Sequence, residues 1–181
     1  ALAGMSDANF LLDFYGVRRG NVRAAAEEAA DRALAIDPHL AEAHNSVGVT
    51  RILYRFDWEG GEASFLRALE LNPNYVQARC WYGTFVLSAG EGRTSEAVAM
   101  VEKAVELDPL AAYPRAILAW IWVMGRRNDE AERTAAEAIE LDRASILPVL
   151  MRTIALLRLG RFAEAIELAE HGVLAFGRIA W

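Results

Sequence analysis

The stretch AVAMVEKAVELDP, Ala97 to Pro109, decides the fold. It places a small residue at Ala97, a core residue at Val101, a second small residue at Ala104 and a helix breaker at Pro109. Steps of four and three put the first three on one face of a helix. Proline disfavours helix at the residue before it and removes a donor, so the helix stops there. The same pattern precedes it twice, as Ala26, Ala30, Ala33, Pro38 and as Gly61, Phe65, Ala68, Pro73. It follows twice more, as Ala131, Ala135, Ala138, Arg143 and as Ala165, Ala169, Gly172, Gly177. From Ala26 to Gly61 is 35 residues, to Ala97 another 36, and to Ala131 and Ala165 another 34 each. A period held near 34 over five copies is the signature of stacked helix pairs.

Each copy closes its second helix alike: Ala35-Ile36-Asp37-Pro38, Glu70-Leu71-Asn72-Pro73, Glu106-Leu107-Asp108-Pro109 and Glu140-Leu141-Asp142-Arg143. The Asp and Asn of these phrases are expected to cap the helix that follows. First helices carry a small residue (Gly48, Gly83, Ala119) just after a large one (Val47, Tyr82, Leu118), so a neighbouring helix can approach closely. Pro114 and Pro148 fall in first turns, where a missing N–H costs little. The pattern predicts ten helices, over 2–16, 21–36, 40–55, 58–71, 74–89, 93–107, 110–125, 128–141, 145–159 and 162–175. The longer spacings place one extra residue near Phe56-Asp57-Trp58 and two near Glu91-Gly92.

These residues resemble the tetratricopeptide repeat family over nearly the whole chain, most clearly in Leu159-Gly160-Arg161-Phe162-Ala163-Glu164-Ala165. The resemblance implies an all-α, right-handed superhelix of about five helix-turn-helix pairs. It implies one domain over 1–181, with repeats at about 1–38, 39–73, 74–109, 110–143 and 144–177. The end copies depart from the family at Met5 and Ser6 and at Arg152 and Thr153, as capping repeats do. A narrower resemblance runs from Arg55-Phe56-Asp57-Trp58 through Asn72-Pro73-Asn74-Tyr75 to Trp81-Tyr82-Gly83. It is similar to the repeat regions of bacterial signalling proteins fused to adenylate or guanylate cyclase domains or to winged-helix regulators. On that resemblance the chain is expected to be a piece of a longer protein.

Composition agrees with helix: 34 alanines stand against 5 prolines in 181 residues. The net charge of −6 argues against nucleic acid and anionic membrane as partners, since both require cations. The longest charge-free apolar run, Ala116 to Gly125, is half of the roughly 20 residues a membrane span needs. Ala1 to Phe10 show no signal-peptide pattern. The single cysteine, Cys80, allows no internal disulfide and fits a reducing cytoplasm.

No catalytic, cofactor or metal site is expected. His39 and His44 flank Glu42, but their spacing of five does not put two ligands on one helical face. His171 stands apart. Glu59-Gly60-Gly61-Glu62 and Gly90-Glu91-Gly92-Arg93 carry carboxylates where a phosphate would sit and lack the lysine of a phosphate-binding loop, so they read as turns. Cys80 reads as a plain helical cysteine.

In this architecture the first helices line an inner, concave wall. Helical phase puts Asn45, Val49, Trp81, Thr84, Tyr113, Ile117, Trp120, Leu150, Ile154 and Leu157 on or beside it, with Cys80 at its border. Either these residues are core, as most such stripes are, or they form an apolar groove for a peptide or helix. The one lysine, Lys103, lies on a second helix and should face outward, so an electrostatic clamp on a terminal carboxylate is not expected. The end Gly177-Arg178-Ile179-Ala180-Trp181 would either cover the last apolar face or continue the stack. The expected function is a non-catalytic, cytoplasmic module binding a protein or peptide or another copy of itself. The alternative is a small-ligand receptor or enzyme with a pocket inside the superhelix.

Overall fold

A computed structural model describes residues 1–17, 20–90 and 92–176, with side chains as far as residue 172. The described residues form helices and turns. The helices are α1 (Leu2–Phe14), α2 (Val22–Ile36), α3 (Ala41–Thr50), α4 (Trp58–Leu71), α5 (Val76–Trp81), α6 (Thr94–Leu107), α7 (Ala112–Met124), α8 (Asn128–Leu141), α9 (Ile146–Arg158) and α10 (Phe162–Phe176). Two of them run on as π-helix, α3 through Arg51–Arg55 and α5 through Tyr82–Gly90.

The chain divides into two compact units, Ala1–Val86 and Leu87 onward. Within the first, α1 packs on α2, α2 on α3 and α3 on α4. Within the second, each of α6 to α10 packs on its successor, and α7 also touches α9. The small residues make this possible. Ala26, Ala30, Ala68, Ala97, Ala104, Ala131, Ala135 and Ala138 have no exposed surface. A Cβ added at Gly61 would lie 2.3 Å from Ile52 Cγ1, and one at Gly48 would lie 3.1 Å from the Phe65 ring. Helix α4 therefore meets α3 and its π continuation at a distance that only glycine permits at Gly61 and that leaves little room for a Cβ at Gly48.

That tight seam explains where the extra residues go. A π turn closes its ring one residue later than an α turn and so absorbs an insertion without breaking the helix. The sequence places the insertions in the turns after the first helices; the structure places π-helix in the preceding turns. The first π segment ends at Phe56, which adopts a left-handed backbone, φ 55°, and Asp57 N–H then donates to Arg51 O at 3.0 Å. With the seam at Gly61 fixed by contact, the slack is taken up inside the helix before it.

The expected caps are a second difference. Asp37, Asn72 and Asp142 accept from the N–H two residues on, at His39, Asn74 and Ala144, with distances of 2.9, 3.1 and 2.9 Å. These bonds hold the turn between repeats rather than the next helix. The following helices have Leu40, Tyr75, Ala111 and Ser145 at their N-cap positions, and none of these caps through its side chain. Instead, the residue six after each proline reaches back to the proline carbonyl. His44 Nε2 lies 2.9 Å from Pro38 O, Arg79 donates to Pro73 O at 2.6 and 3.1 Å, and Arg115 donates to Pro109 O at 2.6 Å. In the fourth copy Arg143 replaces the proline and Val149 stands at the clamp position.

Candidate functional site

In the first unit the candidate residues Asn45, Val49, Trp81 and Thr84 are buried. The Trp81 ring meets Phe10 of α1 edge-on at 5.2 Å and Phe85 at 6.5 Å, and Phe85 also contacts Phe10 and Phe14 at 6.0 Å. Phe10–Phe14 on α1 and Trp81–Phe85 on the α5 arm are two pairs spaced by four, so each presents both rings on one face. Sequence reasoning missed Phe10, Phe14 and Phe85; their matched spacing was the available signal. Thr84 Oγ1 is turned onto its own helix, donating to Cys80 O at 2.8 Å. Cys80 is buried, and burial pushes its thiol up to about 12.

Beside the rings lies a polar link. Asp7 of α1 accepts from Ser46 Oγ of α3 at 2.6 Å and from Gln77 Nε2 of α5 at 2.9 Å. Burial, opposed by these two hydrogen bonds and aided by the Glu42 charge, raises the Asp7 carboxyl to about 6. Burial together with the charges of Asp7 and Glu42 raises the Tyr75 hydroxyl too. Asn45 is fully buried, and neither of its side-chain polar atoms has a hydrogen-bond partner among the described residues.

The second unit is different. Ile117 is buried, but Tyr113 is 37% and Leu157 46% exposed, and Trp120, Leu150 and Ile154 are half-buried. Met124, one turn beyond Trp120 on α7, is 52% exposed. Tyr113, Ile117, Trp120 and Met124 step by four, three and four; Leu150, Ile154 and Leu157 step by four and three. Each set is one helical stripe. Neither α7 nor α9 contains a carboxylate. Their arginines are held by the protein: Arg115 lies 3.9 Å from Glu137, Arg152 pairs with Glu132 at 2.8 Å, and Arg158 donates to Val123 O.

The remaining candidates resolve locally. His171 Nδ1 lies 2.8 Å from Glu167 O of its own helix. Among the described residues no three His, Cys, Asp or Glu side chains come together as a metal site. The Gly60 N–H at the start of α4 is taken by Asp57 Oδ1 at 3.0 Å, the place a phosphate oxygen would occupy. Lys103 on α6 pairs with Glu106 at 2.8 Å in solvent. A cleft of about 240 Å³ is lined by Arg152, Leu156, Glu164, Glu167, Leu168 and His171. Its Arg152 and Glu164 are engaged by Glu132 and Arg161. Ile179 and Trp181 lie outside the described residues. No described helix is long and apolar enough to cross a membrane.

Residues 89–146 match the family model of the tetratricopeptide repeat. A thermophilic tetratricopeptide-repeat protein of Thermus thermophilus superposes with a TM-score of 0.81 over 99% of this chain and 93% of its own, at 16% identity. The chain has the tetratricopeptide-repeat fold. Pseudomonas aeruginosa pilF shares that fold at TM-score 0.70 and 20% identity, over 98% of this chain and 79% of its own. So does YrrB, described as a tetratricopeptide-repeat protein with an unusual peptide-binding site, at TM-score 0.60 and 19% identity, over 97% and 86%. No curated protein matches the sequence. In tetratricopeptide terms, α7 with α8 and α9 with α10 are consecutive repeats, and the exposed apolar stripes belong to their first helices.

Proposed function

We propose that the chain is a non-catalytic interaction module that holds an apolar peptide or helix against α7 and α9. One observation carries this reading: two adjacent helices without a carboxylate keep Tyr113, Leu157 and Met124 more than a third exposed. Such a face recognises a segment with apolar residues at helical spacing. The buried Asn45, Val49, Trp81, Thr84 and Ile117 then support the fold, and Tyr113, Trp120, Leu150, Ile154 and Leu157 meet the partner. The unusual peptide-binding site described for YrrB favours the same reading. The phrase from Arg55 to Tyr75, which resembles repeat regions of cyclases and winged-helix regulators, favours a cytoplasmic, regulatory role in bacterial signalling.

The test is selection from a random peptide library on the immobilised chain. Selected peptides should carry apolar residues three and four apart. Trp120→Ala with Ile154→Ala should weaken their binding about tenfold or more, the loss of roughly 1.4 kcal/mol or more expected of central anchors. Unchanged affinity in a folded double variant ends this reading.

A further inference from the structure

We propose that the segment held by α7 and α9 is acidic as well as apolar, an aspartate or glutamate side chain beyond its last anchor lying against Arg126 and Arg158. This rests on the reading above and names the chemistry of its partner. The charges of the second unit are sorted by layer. Helices α6, α8 and α10 carry eleven carboxylates against Lys103 and Arg133. Helices α7 and α9 carry no carboxylate against Arg115, Arg152 and Arg158. The net charge of −6 over the whole chain thus conceals an apolar face whose formal charges are all positive.

Most of that charge is answered inside the protein, and the exceptions share one place. Arg115 has Glu137 at 3.9 Å, and Arg152 has Glu132 at 2.8 Å. Arg158 instead reaches from α9 to Val123 O of α7, and a neutral carbonyl leaves its charge unbalanced. The Arg126 N–H donates to the same oxygen at 3.2 Å. Both arginines are exposed, and they come together at the end of α7 beside Met124 and Leu157, the last residues of the two apolar stripes. Among the described residues neither guanidinium has a carboxylate within 4.0 Å. The carboxylates that open α8 and α10 act elsewhere: Glu130 pairs with Arg127, Glu164 pairs with Arg161, and Asp129 also acts on Arg161. A carboxylate on the partner is the complement that this corner lacks.

Arg126 adds an independent sign. It adopts φ 58°, and the same place in the neighbouring turns is held by glycine, Gly92 at φ 66° and Gly160 at φ 76°. The hydrogen bonds match as well. Arg126 and Arg127 N–H donate to Val123 O and Trp122 O at 3.2 and 2.9 Å, and Gly160 and Arg161 N–H donate to Leu157 O and Leu156 O at the same distances. This backbone favours glycine. An arginine that bears the strain here, with its side chain in solvent and no ion pair among the described residues, is explained by a contact outside the fold.

The test takes peptides selected from a random library on the immobilised whole chain. They are remade with amidated C-termini, so that side chains are their only carboxylates. They should carry Asp or Glu at one end of the apolar stretch. In fluorescence anisotropy at low salt, exchanging those acids for Asn or Gln should weaken binding about threefold, within the reach of an exposed ion pair. The loss should shrink in about 1 M salt. Arg126→Gly should cost the acidic peptide as much and its amide counterpart nothing, while the protein melts no lower than the wild type, because glycine suits the turn. Arg126→Gln keeps the strain and removes only the charge, so it should match Arg126→Gly in binding. Arg126→Lys should retain most of the affinity. Selected peptides that lack an acid, or amide counterparts that bind equally well, overturn the proposal and leave the apolar reading standing. Unchanged affinity in Arg126→Gly and Arg126→Gln overturns it too, and a lower melting temperature alongside would assign the arginine to the helix end. A library that yields no peptide ends both readings.

Discussion

Replacing Asp7 by asparagine should stabilise the first unit at neutral pH and change it little in acid. The carboxyl sits between α1, α3 and α5, and burial raises it from 3.8 to about 6. The folded state thus holds the proton more tightly than the unfolded chain. The stability this proton brings is full below about pH 3.8 and is lost as pH rises through about 6. At about 1.4 kcal/mol per pH unit, the whole loss is about 3 kcal/mol. An amide of the same shape avoids the ionisation and can still accept from Gln77. Its NH2 meets Ser46 Oγ, which becomes an acceptor by turning its proton to Glu42 O, already 3.0 Å away. The exchange gives the Ser46 hydroxyl and one of the two amide N–H groups an acceptor each, so part of the gain should survive. Urea unfolding of both proteins, followed by circular dichroism between about pH 4 and pH 7.5, reads the difference. Other carboxylates titrate equally in the two and cancel. The gap should widen by about 2 kcal/mol over that range. A gap that does not change with pH would refute the burial argument, and a gap of the opposite sign would mean that the two hydrogen bonds outweigh desolvation.

Three further outcomes follow from packing. Phe56→Gly should raise stability by about 1 kcal/mol in the same unfolding assay, since Phe56 is 73% exposed and sits at φ 55°, where a side chain is strained. Cys80 should resist a thiol reagent in the folded chain and react at once in urea, because it is buried and its thiol is pushed up to about 12; fast labelling of the native protein would contradict its placement. Ala104→Leu and Ala138→Leu, at positions with no exposed surface, should each cost roughly 1–3 kcal/mol by overpacking, and neutral melting curves for both would mean that the repeat register is wrong.

The helix pairs are legible because their seams are built from residues whose size is their function. Ala97, Val101 and Ala104 state both the face and the distance of the neighbouring helix, and Pro109 states where the helix ends. The π segments were not legible, although the insertions were. Spacing reveals that one residue was added between Ala26 and Gly61; only the close approach of Gly61 to Ile52 shows why a turn could not take it. The caps fail for a related reason. Asp37, Asn72 and Asp142 are good capping residues, but the turn two residues on offers a nearer N–H.

The candidate site divides along the same line. Helical phase marks which side of a first helix points inward, and it treats Trp81 and Trp120 alike. What separates them comes from elsewhere in the chain. Trp81 is 3% exposed because α1 lays Phe10 against it and Asp7 fastens α1 to Ser46 and Gln77. That fastening loses stability once the carboxyl ionises, so the aromatic cover of the first unit is weakest at neutral pH. If Asp7→Asn stabilises the chain as argued, Trp81 and Phe85 are the residues whose exposure it should reduce. Acrylamide quenching at about pH 7.5, in forms of the two proteins that keep Trp81 and carry phenylalanine at the other four tryptophans, reads this for Trp81. Equal quenching alongside a real gain in stability would mean that α1 stays seated in both and that the charge acts on the global fold alone.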